Sequence, residues 1–407
     1  MPYDVPRGWE WQKLGDIGTW QSGATPSRLN KDYYGGDIPW LKTGDLNDGF
    51  IYEIPETITQ KALEETSVKL NPAGSVLIAM YGATIGKVGI LSFPATTNQA
   101  CCACVNYQGI EQMYLFYFLL SHKEEFLLLG GGGAQPNISK EKIVDTFIPI
   151  PPLLEQKRIV NAIEQWFNLI ESLETVKEDL QMYIAQAKSK ILDHAIHGKL
   201  VPQDPNDEPA IELLKRINPK FIPCDNAHDT NQLPKSWCWA TLGNIFQHNT
   251  GKALNKSDSL EGTLKPYLTT SNVYWDSFDF TEVKQMYFKD SEIDKCTVQK
   301  GDLLVCEGGD IGRAAIWNYD HDICIQNHIH RLRAKGMIDH RLYLYVLMLY
   351  KWTDKIHGKG IGLQGLSSGL LDKLIIPVSP YNEQKRIVAK IEELFAVLDE
   401  IKESLEA

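Results

Sequence analysis

Glu155-Gln156-Lys157-Arg158-Ile159-Val160 returns letter for letter at 383–388, each copy following a proline-rich hinge and opening a long helical pattern. The hexapeptide is the best-kept part of a longer copy. Pro6-Arg7-Gly8-Trp9-Glu10-Trp11 returns as Pro234-Lys235-Ser236-Trp237-Cys238-Trp239, Leu14-Gly15 as Leu242-Gly243, and Pro149 as Pro377. The run GSVLIAMYGATIGK at 74–87 returns one residue shorter as GDLLVCEGGDIGR at 301–313. All pairs lie 226 to 228 residues apart, so one unit is written twice. A long duplicated unit that carries a helix predicts a pseudo-twofold molecule, suited to a target that itself comes in two parts.

Outside the repeated hexapeptide, each unit reads as mixed α/β. Short β-like runs such as 75–79 and 302–306 are separated by glycine and asparagine, and 114–120 and 343–349 read as matching apolar helices. The strands of each globular part are expected in one compact irregular sheet. From 153 to 197 there is neither Gly nor Pro, and Ile159, Ile163, Trp166, Ile170 and Leu173 alternate steps of four and three. This seam stutters at Val176 and resumes through Leu180, Ile184, Ala187 and Ile191. The second copy repeats it with Ile387, Ile391, Leu394, Leu398, Ile401 and Leu405. Two like seams satisfy each other as an antiparallel coiled-coil pair, with the globular parts at opposite ends. The plainer alternative lays each helix on its own globule. The expected organisation is a globular domain at 1–150, a helical region at 151–217, a polar linker at 218–232, a second globular domain at 233–380 and a short helical region at 381–407.

Composition is that of a globular protein, 43% apolar and 23% charged. No run of eighteen apolar residues suggests a membrane span, Met1 leads into polar residues, and the reading is a cytoplasmic protein. The eight cysteines do not match between copies, which speaks against a disulfide framework. Net charge is −11 overall and about neutral only over 233–382, with 17 basic and 16 acidic residues. An acidic chain that binds nucleic acid must use local patches or share phosphate contacts with a partner.

IPIPPLLEQKRIV (148–160), ILDHAIHGKLVPQDPNDEPAIELL (191–214) and the second EQKRIV resemble the conserved regions of the specificity subunit of Type I restriction-modification enzymes. GWEWQKLGDI (8–17) and SWCWATLGNI (236–245) resemble the starts of its two target-recognition domains. The resemblance spans nearly the whole chain. It implies two target-recognition domains, each binding one half of a bipartite double-stranded DNA site. Helices between them would set the spacing and dock two modification (methyltransferase) subunits, to which restriction (translocase and endonuclease) subunits add. S-adenosylmethionine, ATP and Mg²⁺ would then belong to those partners, with no cofactor in this chain. The chain departs from the pattern in its second helical region, about 25 residues against 45.

Catalytic motifs fail one by one. Asn71-Pro72-Ala73-Gly74 lacks the second proline and the aromatic of an amino-methyltransferase motif. In 81–88, Tyr81 replaces the first glycine of a phosphate loop and Val88 its Ser or Thr. Glu155-Gln156-Lys157 has a nuclease-like spacing, but its place at a helix start fits helix-terminus electrostatics better. The Cys-x-x-Cys of Cys101 and Cys104 has no second pair, so buried strand cysteines are expected there rather than zinc. The chain reads as a non-catalytic subunit.

Candidate DNA contacts are matched between the copies. Lys42 and Thr43 correspond to Thr270, Ser271 and Asn272 as hydroxyl and amide clusters after an apolar pair. Tyr81, Gly82, Thr84 and Lys87 lie in the loop after the best strand, as Glu307, Gly309, Asp310 and Arg313 do in the second copy. Lys87 and Arg313 put a cation at equivalent positions, whereas Glu307 against Met80 and Asp310 against Ala83 are unlike, as two different half-sites require. Gln135 and Asn137, and Gln364 in the second copy, follow glycine-rich stretches, and an amide can pair bidentately with adenine. Lys157, Arg158, Lys385 and Arg386 beside the seams are candidates for partner docking. The competing reading is a protein-binding scaffold with two repeated domains and no DNA contact, which the acidic balance favours.

Overall fold

Val76–Ala79 and Leu303–Cys306, the most apolar runs of the repeat, are buried at every position and become the central strand of each unit. The computed structural model describes residues 3–131, 137–225, 232–253, 262–356 and 365–406. Contacts divide the chain into units 1–174 and 175–407, a division that falls inside its longest helix.

Unit 1 contains β1 (Glu10–Lys13), β2 (Gly18–Ser22), β3 (Tyr34–Leu41), β4 (Gly49–Ile51), β5 (Thr57–Ile58), β6 (Val76–Ala79), β7 (Val88–Leu91), β8 (Thr96–Thr97), β9 (Cys101–Asn106) and β10 (Phe147–Ile150). They form three sheets, ordered β2-β9-β6-β7-β4, β5-β3-β8 and β1-β10. The single irregular sheet expected from sequence is therefore corrected. The reason lies in β6. Val76 and Ile78 enter the core beneath α1 (Gln112–Ser121) and α2 (Lys123–Leu129), while Leu77 and Ala79 enter a second core with Leu41 and Ile51. Two buried faces need a layer on each side. Cys101 and Cys102 in β9 alternate between the same two cores.

Unit 2 repeats the plan. Its strands are β11 (Cys238–Thr241), β12 (Phe246–Thr250), β13 (Thr263–Leu268), β14 (Val273–Tyr274), β15 (Ser277–Phe278), β16 (Lys284–Phe288), β17 (Thr297–Val298), β18 (Leu303–Cys306), β19 (Ala314–Ile316), β20 (Ile323–Ile325), β21 (Ile329–Ala334) and β22 (Ile375–Val378). Sheets run β12-β21-β18-β19, β16-β13-β20-β17, β14-β15 and β11-β22. Leu303 and Val305 face one core, Leu304 and Cys306 the other.

The long helix, α3 (Leu153–Ile196), runs 44 residues. Pro151 and Pro152 stop it from extending backwards. At its end Gly198 takes φ +66°, Lys199 N–H reaches His194 O (2.9 Å) and Gly198 N–H reaches Ala195 O (3.3 Å), a Schellman stop. Then follow α4 (Ala210–Ile217), α5 (His340–Trp352) and α6 (Tyr381–Glu406). Residues 342–350 of α5 are all buried, so that helix is apolar on every face and sits inside unit 2.

The repeated hexapeptide owes its meaning to one amide. Gln156 Oε1 accepts Glu111 N–H (2.8 Å) at the start of α1, and its Nε2 donates to Gly109 O (3.0 Å) and Pro151 O (2.8 Å). Gln384 does the same in unit 2, accepting Asp339 N–H (2.8 Å) before α5 and donating to Ser379 O (2.8 Å). Both glutamines are fully buried. Each unit thus clamps its outgoing helix to its apolar helix. Aromatic pairs Tyr117–Phe167 (5.9 Å) and Tyr345–Phe395 (5.8 Å) continue that contact one step along.

The first turns of both seams therefore lie on their own units, as the plainer reading held. Farther on, the helices of unit 2 pair. Lys188 meets Asp399 (2.5 Å) and the Phe395 ring (4.9 Å), whereas Gln203, past the end of α3, bonds Glu383 near the start of α6. These contacts fix an antiparallel pair over the second half of α3. Between those first turns and the pair the seam stays open, with Trp166 66% and Leu173 60% exposed.

Of the segment read as a polar linker, Phe221 is buried and Cys224 N–H bonds Trp239 O (3.0 Å), so its start is packed on unit 2. Residues 226–231 lie outside the described ones.

Candidate nucleic-acid interface

At one end of each unit, three of the predicted loops converge because the strands that carry them end together. β3 and β8 run parallel and finish at Leu41 and Thr97, beside the end of β6 and the start of β9. Asn98 N–H bonds Leu41 O (2.8 Å) and Met80 N–H bonds Ala100 O (2.8 Å), joining 42–45, 98–100 and 80–87 into one edge. The end of the glycine-rich stretch joins them. Tyr81 and Asn137 form an isolated bridge, and Ile138 N–H bonds Met80 O (2.9 Å). Unit 2 builds the same edge. Gln326 N–H bonds Leu268 O (3.0 Å), Glu307 N–H bonds His328 O (2.9 Å), and Leu366 N–H bonds Glu307 O (2.9 Å).

Lys42, Thr43, Tyr81, Gly82, Thr84, Lys87 and Asn137 thus share one edge of unit 1. Gly82 and Gly86 take φ +65° and +75°, which lets the loop turn back after a short 3-10 turn, and Thr84 Oγ1 donates to Tyr81 O (2.9 Å). Tyr81 is exposed, and Lys87 has no ion-pair partner among the described residues. Lys42 is tied to Glu56 (2.9 Å), which also accepts from Arg28. Those two cations, the Arg28 hydrogen bond foremost, hold the Glu56 carboxyl below its usual range. The Arg28 guanidinium also lies over the Tyr34 ring at 4.4 Å.

In unit 2, Thr270, Ser271, Glu307, Gly309 and Asp310 lie on the matching edge, with Gly309 at φ +71°. Asn272 does not serve as a base-reading amide. It is 4% exposed, accepts from Thr269 N–H (2.9 Å) and donates to Asp279 O and Glu282 O (2.9 Å each), so its hydrogen-bonding capacity is spent inside the turn. Asp45 plays that part in unit 1, accepting Lys42 N–H at 2.8 Å. Arg313 is likewise turned inward. It donates to Thr270 O (2.6 Å) and stacks on Tyr274 (4.6 Å), so it braces two loops, where Lys87 has no such partner among the described residues. Asp310 is paired with Lys351 at 2.9 Å. Gln135 and Gln364 lie outside the described residues.

Sequence reasoning missed three groups on these edges. Gln99 and His328 are exposed in the turn before β9 and β21, and Arg28 stands beside Lys42. A polar pair (Asn98-Gln99, Asn327-His328) in the turn before a buried strand was the available signal for the first two. Beneath the unit 2 edge, His330 Nε2 bonds Leu366 O (2.7 Å), its Nδ1 faces His248 Nε2 (2.9 Å), and His248 Nδ1 faces Asp372 (2.8 Å). Burial pushes the His330 imidazole down to about 4, so at neutral pH it is uncharged. Its Nε2–H then holds the base of the glycine-rich loop. Cys102 occupies the matching place in unit 1.

Of the four cations beside the helices, Lys157 and Arg158 are exposed, and Lys385 lies over the Tyr381 ring at 4.5 Å. Arg386 is corrected as a free docking group, because it is bound to Asp207 at 2.7 Å. Burial pushes the Cys102 thiol up to about 12 and raises Cys101 and Cys104 also, which disfavours the thiolates a metal needs. Among the described residues no three His, Cys, Asp or Glu stand where they could hold a metal, and no helix is long and apolar enough to cross a membrane.

Comparison with known proteins agrees with this layout. The chain is 26% identical over 408 residues to the Type I restriction enzyme MjaIX specificity subunit of Methanocaldococcus jannaschii, covering 96% of this chain and 88% of that one. It is 31% identical over 170 residues to the EcoR124I/EcoR124II specificity subunit of Escherichia coli, covering 40% and 42%. In fold it is similar to the HsdS subunit from Thermoanaerobacter tengcongensis, with TM-score 0.61 and 18% identity over 99% of this chain and 95% of that one. A chain from a study of complex assembly and conformational transition of the type I R-M system gives TM-score 0.64 at 19% identity, covering 100% and 94%. The family model for the Type I restriction modification DNA specificity domain matches residues 6–182 and again 234–407, and with both copies accounted for the chain belongs to that family.

Proposed function

We propose that this chain is the DNA sequence-specificity subunit of a Type I restriction-modification complex, each unit reading one half of a bipartite duplex site through its loop edge. One observation carries the reading: the two edges share a backbone plan yet differ in side chains. Tyr81, Thr84 and Lys87 stand on one, Glu307, Asp310 and His328 on the other. A common frame with unlike chemistry suits two different half-sites. The chain itself is non-catalytic in this proposal. Modification and restriction subunits supply S-adenosylmethionine, ATP and Mg²⁺ chemistry, and work alongside the chain in the cytoplasm. Lys157 and Lys385, solvent-facing at matching positions, are the cations best placed to meet those partners.

The test is co-expression with a Type I modification subunit, followed by genome-wide mapping of methylated adenines. Methylation should fall on bipartite sites and require this chain. Exchanging residues 80–87 for the 307–313 loop should alter one half of the site and leave the other intact. Methylation independent of the chain, or a change in both halves at once, sinks the proposal.

A further inference from the structure

Met80 and Glu307 hold the same place in the two units, and only one of them serves the fold. Met80 N–H bonds Ala100 O (2.8 Å) and Met80 O accepts from Ile138 N–H (2.9 Å). Glu307 repeats both links, to His328 O and from Leu366 N–H (2.9 Å each). With its backbone so held, Met80 lies in the core, 3% exposed. The Glu307 side chain instead stays 28% exposed, and its carboxylate has no hydrogen bond among the described residues. His328 stands beside it with Nδ1 3.6 Å from Oε2, too far for a hydrogen bond. A half-buried carboxylate without a donor weakens a fold, and the apolar twin shows that this backbone plan does not need one.

The residues that follow leave Glu307 unshadowed. A Cβ on Gly308 or Gly309 would meet nothing within 4 Å. Gly309 needs its φ of +71°, but Gly308 lies outside the left-handed region, so neither packing nor backbone calls for glycine there. Tyr81 occupies that place in unit 1. Bare main chain next to Glu307 lets this edge sink into a groove with no side chain in between. Asp310, the other acid of the loop, is already paired with Lys351 at 2.9 Å.

A carboxylate beside a duplex must meet a donor, since phosphate repels it. In the major groove the donors are the amino groups of cytosine N4 and adenine N6. Adenine sets the acceptor N7 beside its amino group, which suits an amide and repels the second oxygen of a carboxylate. Cytosine has only a C–H on that side, and its guanine partner offers the acceptors O6 and N7. An acceptor with an imidazole at its side matches that arrangement.

We infer that Glu307 and His328 read one cytosine–guanine pair in the half-site of unit 2, the carboxylate accepting from cytosine N4 and the imidazole donating to guanine. The inference rests on the DNA reading proposed above and adds the base pair to it.

The test uses the full chain co-expressed with a Type I modification subunit, with methylated adenines mapped across the genome. One half of the site should contain a fixed C·G pair. Glu307→Gln should shift that position toward A·T by about tenfold or more in relative methylation, because an amide pairs bidentately with adenine. Glu307→Met and His328→Ala should relax the same position and leave all others as they were. Glu307→Met should also raise the urea midpoint of unit 2, an outcome that separates reading from folding. A midpoint that falls would mean that the carboxylate holds the loop, and overturns the inference. An unaltered preference in Glu307→Gln, changes in both halves, or methylation lost from every site does the same. A bipartite, chain-dependent site with no C·G pair that these variants move overturns the inference alone. Methylation that does not depend on the chain sinks the DNA reading and the inference with it.

Discussion

Gln156 and Gln384 show how much one buried amide can organise. Each satisfies a helix-start N–H and at least one carbonyl that no secondary structure reaches. Replacing either by leucine keeps volume but orphans those groups, at a cost of about 2–3 kcal/mol. Urea unfolding should report the loss in the mutated unit. His330 makes a pH prediction of definite sign. Its pKa falls from 6.5 to about 4 on folding, so it contributes stability above the unfolded value and loses it as pH drops through the folded one. Between pH 6.5 and 4, unit 2 should lose up to about 3 kcal/mol from this group. His330→Gln should flatten that slope in urea titrations at stepped pH, whereas an unchanged slope would assign the dependence elsewhere. The roles of these residues were illegible in sequence because hydrogen bonding is decided by distant backbone: Gln156 was visible as a repeated letter, its partners at 109 and 111 were not. The same holds for Asn272 and Arg313. Their types suit DNA, but tertiary contacts consume them before any ligand arrives.

At the scale of elements, period and punctuation carried most of the reading. The run free of Gly and Pro marks α3 to within a residue, and β6 and β18 fall on the apolar runs of the repeat. The number of sheets was not legible, since a short apolar run does not say what covers its second face. Gly198 offers a sharp test of an element boundary. Alanine there must adopt φ +66° and push against Pro234. The expected loss is about 2–4 kcal/mol, measured by thermal or urea unfolding of unit 2. The helix itself is proposed to act as a ruler. Four residues inserted near Glu178 add roughly 6 Å of helix, so mapped methylation sites should show a gap wider by about two base pairs with unchanged half-sites. An altered half-site with the old gap contradicts the ruler.

For the molecule as a whole, charge sets the conditions of binding. At a net −11 the chain repels duplex overall, so the proposed DNA reading requires local cations, with Lys87 the proposed one, and a share of the phosphate contact from partner subunits. The isolated chain should therefore bind its site weakly and lose it steeply between about 50 and 200 mM salt. Addition of a modification subunit should restore binding and change the slope of log affinity against log salt, by filter binding or anisotropy. Salt-insensitive binding by the lone chain would contradict this division of labour.

Each central strand is walled in on both sides, so the loops that leave it are rooted in the part of the unit least able to yield. Mutation can rewrite those tips without disturbing the masonry below. A lineage built this way can change the words it recognises while keeping its grammar.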